Sequence, residues 1–174
     1  MEVVDDQGHP VLDGKPGEFL ISGATVMRGY WNNPEASAEF FVEGWLKTGD
    51  LAKIDEEGFL YIVDRKKDML LRGGENIYCI EVEDVLYQHP AVMDAAVVAI
   101  PHHTLGEEPG AVVTLKPGSE ASEEELRAFV AERLAAFKVP VKVVFWPGML
   151  PRNPSGKILK NELKKVFTSG GSPA

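Results

Sequence analysis

The 174-residue sequence holds a single cysteine, Cys79, and no apolar run near the roughly 20 residues that a membrane-spanning helix needs. One thiol excludes an internal disulfide and a Cys-type zinc site, which fits a reducing compartment and a structural role for Cys79. The opening Met1-Glu2-Val3-Val4-Asp5-Asp6 lacks both the basic start and the apolar stretch of a signal peptide, so a cytoplasmic location with no membrane span is expected. Positive charge is also scarce. With 18 Lys and Arg against 27 Asp and Glu, the net charge of −9 argues against a nucleic-acid or anionic-membrane partner, whose binding rests on accumulated basic residues. No Gly-x-Ser-x-Gly elbow supports serine hydrolase chemistry. His102 and His103 have no second His, Cys or carboxylate cluster at ligand spacing, so no metal site is assigned.

What is present describes a soluble globular chain, with 44% hydrophobic and 26% charged residues. The first third reads as short strands between turns: Gly17 to Gly23, Leu51 to Ile54 and Phe59 to Val63, the last two joined by the turn Asp55-Glu56-Glu57-Gly58. A short helix is expected from Asn33, an N-cap followed by Pro34, through Phe41. Beyond the charged run Asp64-Arg65-Lys66-Lys67-Asp68, taken as the domain boundary, the pattern changes. A helix is expected over Ile80 to His89, with apolar strands at Ala95 to Ile100, Ala111 to Leu115 and Val141 to Phe145. A second helix opens at the capping box Ser122-Glu123-Glu124-Glu125 and carries Leu126, Phe129, Val130, Leu134 and Phe137 on one face. A last helix starts near Ile158. The fold class is therefore α+β, with a small domain over residues 65–168 built on three or more strands, a β-rich piece over 1–64, and a disordered tail over 169–174.

Charge is uneven along the chain. From Ala136 to Phe167 seven basic residues face one acid, Glu162. Such a segment meets a small polyanion or forms a solvated helix face.

Three segments put ionic groups on glycine- or proline-marked stretches. In Thr48-Gly49-Asp50 the carboxylate suits a ribose diol or an Asx-type turn. Arg65 forms a surface pair with Asp64 or Asp68, or presents its fork to phosphate or ribose oxygens. Arg72-Gly73-Gly74-Glu75-Asn76 reads as a tight hairpin turn or as backbone that a ligand approaches closely. Pro151-Arg152-Asn153-Pro154-Ser155-Gly156-Lys157 fails as a Walker loop, because Pro151 stands where the first glycine belongs and Ile158 where Ser or Thr binds magnesium. Lys157 is then a surface lysine or a point charge set on a developing anion.

In order and spacing these segments, with Gly17 to Gly23, Gly29-Tyr30-Trp31-Asn32-Asn33-Pro34 and Trp45 to Leu51, resemble the C-terminal part of the adenylate-forming superfamily, which includes acyl-CoA synthetases, peptide-synthetase adenylation domains and luciferases. The resemblance implies that Asp50 and Arg65 bind the ATP ribose, that Lys157 is the catalytic cation over the α-phosphate, and that Lys67 is the hinge of a mobile lid formed by residues 65–168. Residues 1–64 would end the large N-terminal domain, in its β-barrel portion. Gly73-Gly74-Glu75-Asn76-Ile77 resembles CoA ligases rather than peptide-synthetase domains, which implies that Gly73, Gly74 and Glu75 form the CoA and thioester loop. The implied substrates are a carboxylic or fatty acid, ATP with Mg2+, and CoA. The superfamily's phosphate loop and acyl pocket lie upstream of this sequence, so a fragment inactive alone is expected, with Mg2+ held mainly by the missing N-terminal part. A separate non-catalytic module that binds a partner ligase or acyl carrier, and a fragment of another adenylating enzyme, are the alternatives.

Overall fold

A computed structural model describes residues 1–11 and 14–168 of the chain; the tail expected over 169–174 lies outside them. The architecture is α+β and separates into two compact units, Met1–Lys67 and Asp68–Ala174.

The first unit is an antiparallel sheet of β1 (Glu2–Val4), β2 (Gly17–Ile21), β3 (Phe41–Val42), β4 (Trp45–Ile54) and β5 (Leu60–Arg65). β4 pairs with β2 along one edge and with β3 and β5 in succession along the other. The hairpin between β4 and β5 closes on Asp55, whose Oδ1 accepts from the amides of Glu57 and Phe59, an Asx turn with Gly58 at φ +85°. Helix α1 (Pro34–Phe40) starts at Asn33, whose Oδ1 accepts from the Ala36 amide, a side-chain cap followed by proline. β4 begins six residues earlier than the apolar run Leu51 to Ile54 indicated. Lys47 and Thr48 break the alternation, and Gly49 at φ +74° lets the strand bulge and continue.

The second unit is built on β8 (Val92–His102) and β9 (Gly106–Leu115), paired antiparallel along nearly their whole length. The opposite edge of β9 takes β10 (Lys142–Phe145) in parallel and touches β6 (Leu70–Arg72), which forms a hairpin with β7 (Glu75–Ile77). Side chains in strands alternate between faces, and both faces of β8 are apolar. Ala95 and Val97 pack with Ala111, Val113 and Val143 beneath α2 (Cys79–Tyr87) and α3 (Glu123–Ala131). Ala96 and Val98 pack with Val112 beneath Leu163 of α4 (Lys160–Thr168) and beneath Leu150 of the segment before it.

Helix α3 stops at Ala131, short of the face projected through Phe137. A 3-10 turn follows at Ala136–Lys138 and Pro140 closes it, since proline drives the residue before it out of the helical region. Leu134 and Phe137 still pack on the core, from the turn rather than the helix. Only half of the capping box forms. Ser122 Oγ accepts from the Glu125 amide, whereas the Glu125 carboxylate lies 3.5 Å from His89 Nε2.

Gly17 is the tightest point of the first unit, because a Cβ there meets the Val4 carbonyl oxygen of β1. A backbone carbonyl has no rotamer by which to withdraw. Gly17→Ala is expected to destabilise this sheet by about 1–3 kcal/mol, the usual range for overpacking, read as faster amide exchange in β1 and β2.

Candidate functional site

Asp50 and Arg65 are direct cross-strand partners of β4 and β5, and form an ion pair with Arg65 Nε 2.9 Å from Asp50 Oδ1. The pair of Arg65 with Asp64 or Asp68 considered from sequence is thus made with Asp50 instead. Asp64 is buried and accepts from the Arg65 amide. A register shift beside the pair, between Leu51 and Ala52, re-aims the side chains at this point of the sheet. The Thr48-Gly49-Asp50 segment is no Asx turn. Thr48 Oγ1 donates to the Phe19 carbonyl and accepts from the Asp50 amide at 3.1 Å, so threonine makes the local turn and the Asp50 carboxylate is left to Arg65. With side chains 25% and 42% exposed, the pair contributes little to stability, and a carboxylate beside a fork of N–H donors suits a vicinal diol. Lys67 is the last residue of the first unit.

The second unit holds the other two segments. Gly73 at φ +58° and Gly74 at φ +93° form the two-residue turn between β6 and β7, with Arg72 opposite Glu75, the geometry of a primed hairpin turn. The hairpin docks on the β8–β9 turn. The Gly73 amide donates to the Leu105 carbonyl at 2.8 Å, the Leu71 amide donates to Glu107, and Arg72 pairs with Glu108. His102 Nδ1 accepts from the Leu105 amide at 3.1 Å and so braces that turn. Gly74 has open space where a Cβ would lie, so the turn conformation requires glycine there and packing does not. Glu75 is exposed.

The Lys157 segment is a closed loop. Asn153 Oδ1 accepts from the amides of Ser155 and Lys157, the Asn153 amide donates to the Lys157 carbonyl at 2.8 Å, and Arg152 bridges Ile158. Gly156 turns it at φ +81°. Lys157 is exposed and makes no ion pair among the described residues. Arg152 donates through Nη1 to the Gly156 carbonyl at 2.8 Å and through Nη2 to the Asp94 carboxylate, which also accepts from the Tyr87 hydroxyl. Sequence reasoning missed this network. Its signal was Asp94, a lone acid entering the apolar strand from Val92 to Ile100. The hydrogen bond to Asp94 raises the Arg152 pKa, and burial, then the bond to Asp94, raises that of the Tyr87 phenol.

The Lys157 loop is anchored near the start of β8, whereas the glycine hairpin is docked at its far end. From Asp94 to His102 the strand advances roughly 27 Å, at about 3.4 Å per residue. The two loops therefore lie at opposite ends of one sheet.

Four of the seven basic residues of the segment from Ala136 to Phe167 are ion-paired, three of them with acids elsewhere in the unit. Lys138 pairs with Glu81, Arg152 with Asp94, Lys160 with Glu83 and Lys165 with Glu162. Among the described residues no cluster of three or more His, Cys, Asp and Glu is arranged to hold a metal ion, and no helix is long and apolar enough to cross a membrane.

Residues 81–157 match the family model for the AMP-binding enzyme C-terminal domain. Over those residues the chain is similar to AMP-binding enzyme C-terminal domains. It is 45% identical over 160 residues to a 2-succinylbenzoate--CoA ligase of Geobacillus kaustophilus, covering 92% of this chain and 32% of that protein. It is 48% identical over 164 residues to a long-chain-fatty-acid--CoA ligase of Bacillus subtilis, covering 94% and 29%. Among solved structures, the amide bond synthetase McbA of Marinactinospora thermotolerans superposes with a TM-score of 0.89 at 37% identity, covering 95% of this chain and 34% of that one. The chain thus spans about a third of the curated relatives it matches.

Lys160 anchors the start of α4. Its side chain is 19% exposed and its Nζ lies 2.7 Å from Glu83 Oε1. Burial works against the charge, but neighbouring Cys79, Glu83 and Asp68 outweigh it and raise the pKa above the ordinary 10.5. A raised folded-state pKa means that the pair's stabilisation is fully present below pH 10.5 and is lost as pH rises through the higher folded value. Lys160→Met removes the cation from Glu83, whose Oε1 also accepts from the Val97 amide, and is expected to cost about 1.5–3 kcal/mol at neutral pH, the scale of a hydrogen bond to a charged group. In urea unfolding, the gap to the unchanged protein should narrow only in strongly alkaline buffer.

Proposed function

We propose that this chain is the C-terminal part of a cytoplasmic ATP-dependent acyl-CoA ligase. Residues 1–64 end its large AMP-binding domain, in the β-barrel portion, and residues 65–168 form a mobile lid hinged at Lys67. The observation that carries this reading is the separation of the two loops. A lysine loop and a glycine hairpin at opposite ends of one sheet cannot serve one reaction site together, but they can serve it in turn.

In the first half-reaction a carboxylate oxygen attacks the α-phosphorus of ATP and the bond to the β-phosphate oxygen breaks, giving acyl-AMP and pyrophosphate. Asp50 and Arg65 hold the ribose, and the Lys157 ammonium neutralises charge that builds on the α-phosphoryl oxygens. Mg2+ accompanies ATP and is held mainly by the upstream region. In the second, the CoA thiolate attacks the acyl carbon and the acyl–phosphate bond breaks, releasing AMP. The hairpin Gly73-Gly74-Glu75 then lines the approach of CoA, where the absence of side chains at both glycines leaves room for pantetheine. The curated relatives act on acids as different as succinylbenzoate and a long-chain fatty acid, which supports an acyl pocket upstream of this region.

A second reading, transfer of the acyl group to an amine, is favoured by the likeness to an amide bond synthetase. The higher identity to CoA ligases, together with the Gly73 to Ile77 sequence, supports the thioester.

In the intact ligase Lys157→Ala should slow acyl-AMP formation on the order of a hundredfold, the scale of one lost oxyanion donor, while acyl-CoA formation from supplied acyl-AMP survives. Gly74→Leu should do the reverse. Pyrophosphate exchange and thioester assays separate the two; equal losses in both half-reactions would refute the division of labour, and product with an amine but none with CoA would favour the second reading.

A further inference from the structure

The structure assigns a positioning role to Arg152, held by Asp94 and Tyr87: together they fix the loop that presents Lys157. This assignment rests on the proposed role of Lys157 and adds three residues to it.

The loop from Arg152 to Ile158 is exposed over most of its length. Its internal bonds, centred on Asn153, keep its shape but do not attach it to the sheet. Ile158 packs its end of the loop on the core, and among the described residues the one side-chain hydrogen bond from the loop to the sheet comes from a single guanidinium. Arg152 Nη1 donates to the Gly156 carbonyl, one residue before Lys157, and Nη2 donates to Asp94 Oδ2. Asp94 belongs to β8 and is 7% exposed; its Oδ1 accepts from the Tyr87 hydroxyl of α2 and from the Ala95 amide at 3.1 Å. The chain thus runs from helix through strand to loop by way of one buried carboxylate.

A buried charge is expensive unless hydrogen-bonded to a partner. Apolar groups in place of the whole Tyr87, Asp94 and Arg152 set could serve the sheet as well, because replacing a buried ion pair by well-packed apolar residues is often neutral or stabilising. What the pair adds is direction. A planar fork reaches two acceptors in fixed geometry, which a lysine ammonium on a flexible stem cannot do. The Lys157 backbone is therefore held at a fixed offset from β8, and its ammonium searches a small volume. Catalysis is sensitive to such placement, since about 1 Å of misplacement costs up to roughly a hundredfold in rate.

Two measurements test this. In the chain itself, Arg152→Lys should speed amide exchange at Gly156 and Lys157 while exchange in β8 and β9 stays unchanged; Asp94→Asn and Tyr87→Phe should act in the same direction, more weakly. In the intact ligase, Arg152→Lys should lower acyl-AMP formation about tenfold or more, with thioester formation from supplied acyl-AMP retained. Adding Lys157→Ala to Arg152→Lys should then cost less than Lys157→Ala costs alone, because coupled residues are not additive. Unchanged exchange at Gly156 and Lys157 would overturn the assignment. So would a loosened loop with undiminished acyl-AMP formation, or equal loss of both half-reactions, which marks a fold anchor only. If Lys157→Ala itself left acyl-AMP formation intact, the proposed function of Lys157 would fall and the catalytic half of this assignment with it, while the exchange data would still decide whether Arg152 holds the loop.

Discussion

Everything in the second unit depends on the pairing of β8 with β9. The register runs from Val92 opposite Leu115 to His102 opposite Gly106, and the central residues Ala95 to Val98 and Ala111 to Val113 are almost completely buried. A strand pair apolar on both faces must be covered on both. α2 and α3 cover one side and α4 the other, and the 77 residues of the matched region extend from within α2 to the loop before α4. Small side chains let the layers approach. Ala95, Ala96 and Ala111 line the middle of the sheet, and at Gly110 a Cβ would meet Ile100 and Phe167, so that the Phe167 ring of α4 lies close against β9.

A rigid strand pair also acts as a ruler. Its turn end receives the glycine hairpin through Leu105, Glu107 and Glu108, and its opposite end receives the lysine loop through Asp94. Neither loop has a packed core of its own, so each borrows its position from the sheet. Their separation follows from strand length rather than from loop sequence. If both contribute to one reaction centre, they must do so in different orientations of the whole unit, and a domain movement becomes a geometric requirement.

Much of this was legible in the sequence because the signals were local. Asn33 before Pro34, Ser122 before a run of glutamates, Asp55 before Gly58, and the unbroken apolar strands each carry their own physical cause, and each element formed at that place, with β8 and β9 running beyond the apolar runs Ala95 to Ile100 and Ala111 to Leu115. The losses arose where a distant partner decides. The six-residue extension of β4 before Leu51 is set by pairing with β2 and β3 and by the freedom of Gly49. Leu134 and Phe137 keep helical spacing, yet Pro140 and the Lys138–Glu81 pair turn them onto the core without a helix. The basic residues after Ala136 read as a charged face, because their partners Glu81, Glu83 and Asp94 lie 40 to 80 residues away in sequence. For the same reason Arg65 read as a partner of its neighbours, whereas pairing of β4 with β5 brings Asp50 opposite. Long-range ion pairs leave no local pattern, and the Tyr87, Asp94 and Arg152 chain spans three elements.

The claim that one rigid unit serves two steps by turning is tested most directly at Lys67. Proline there fixes φ near −65° and removes the rotation on which the turning depends, without touching either loop. The intact ligase carrying Lys67→Pro should retain one half-reaction at close to its original rate and lose the other. If pyrophosphate exchange and thioester formation from supplied acyl-AMP both persisted at the original rates, the two loops would not need to exchange places and the account would be contradicted.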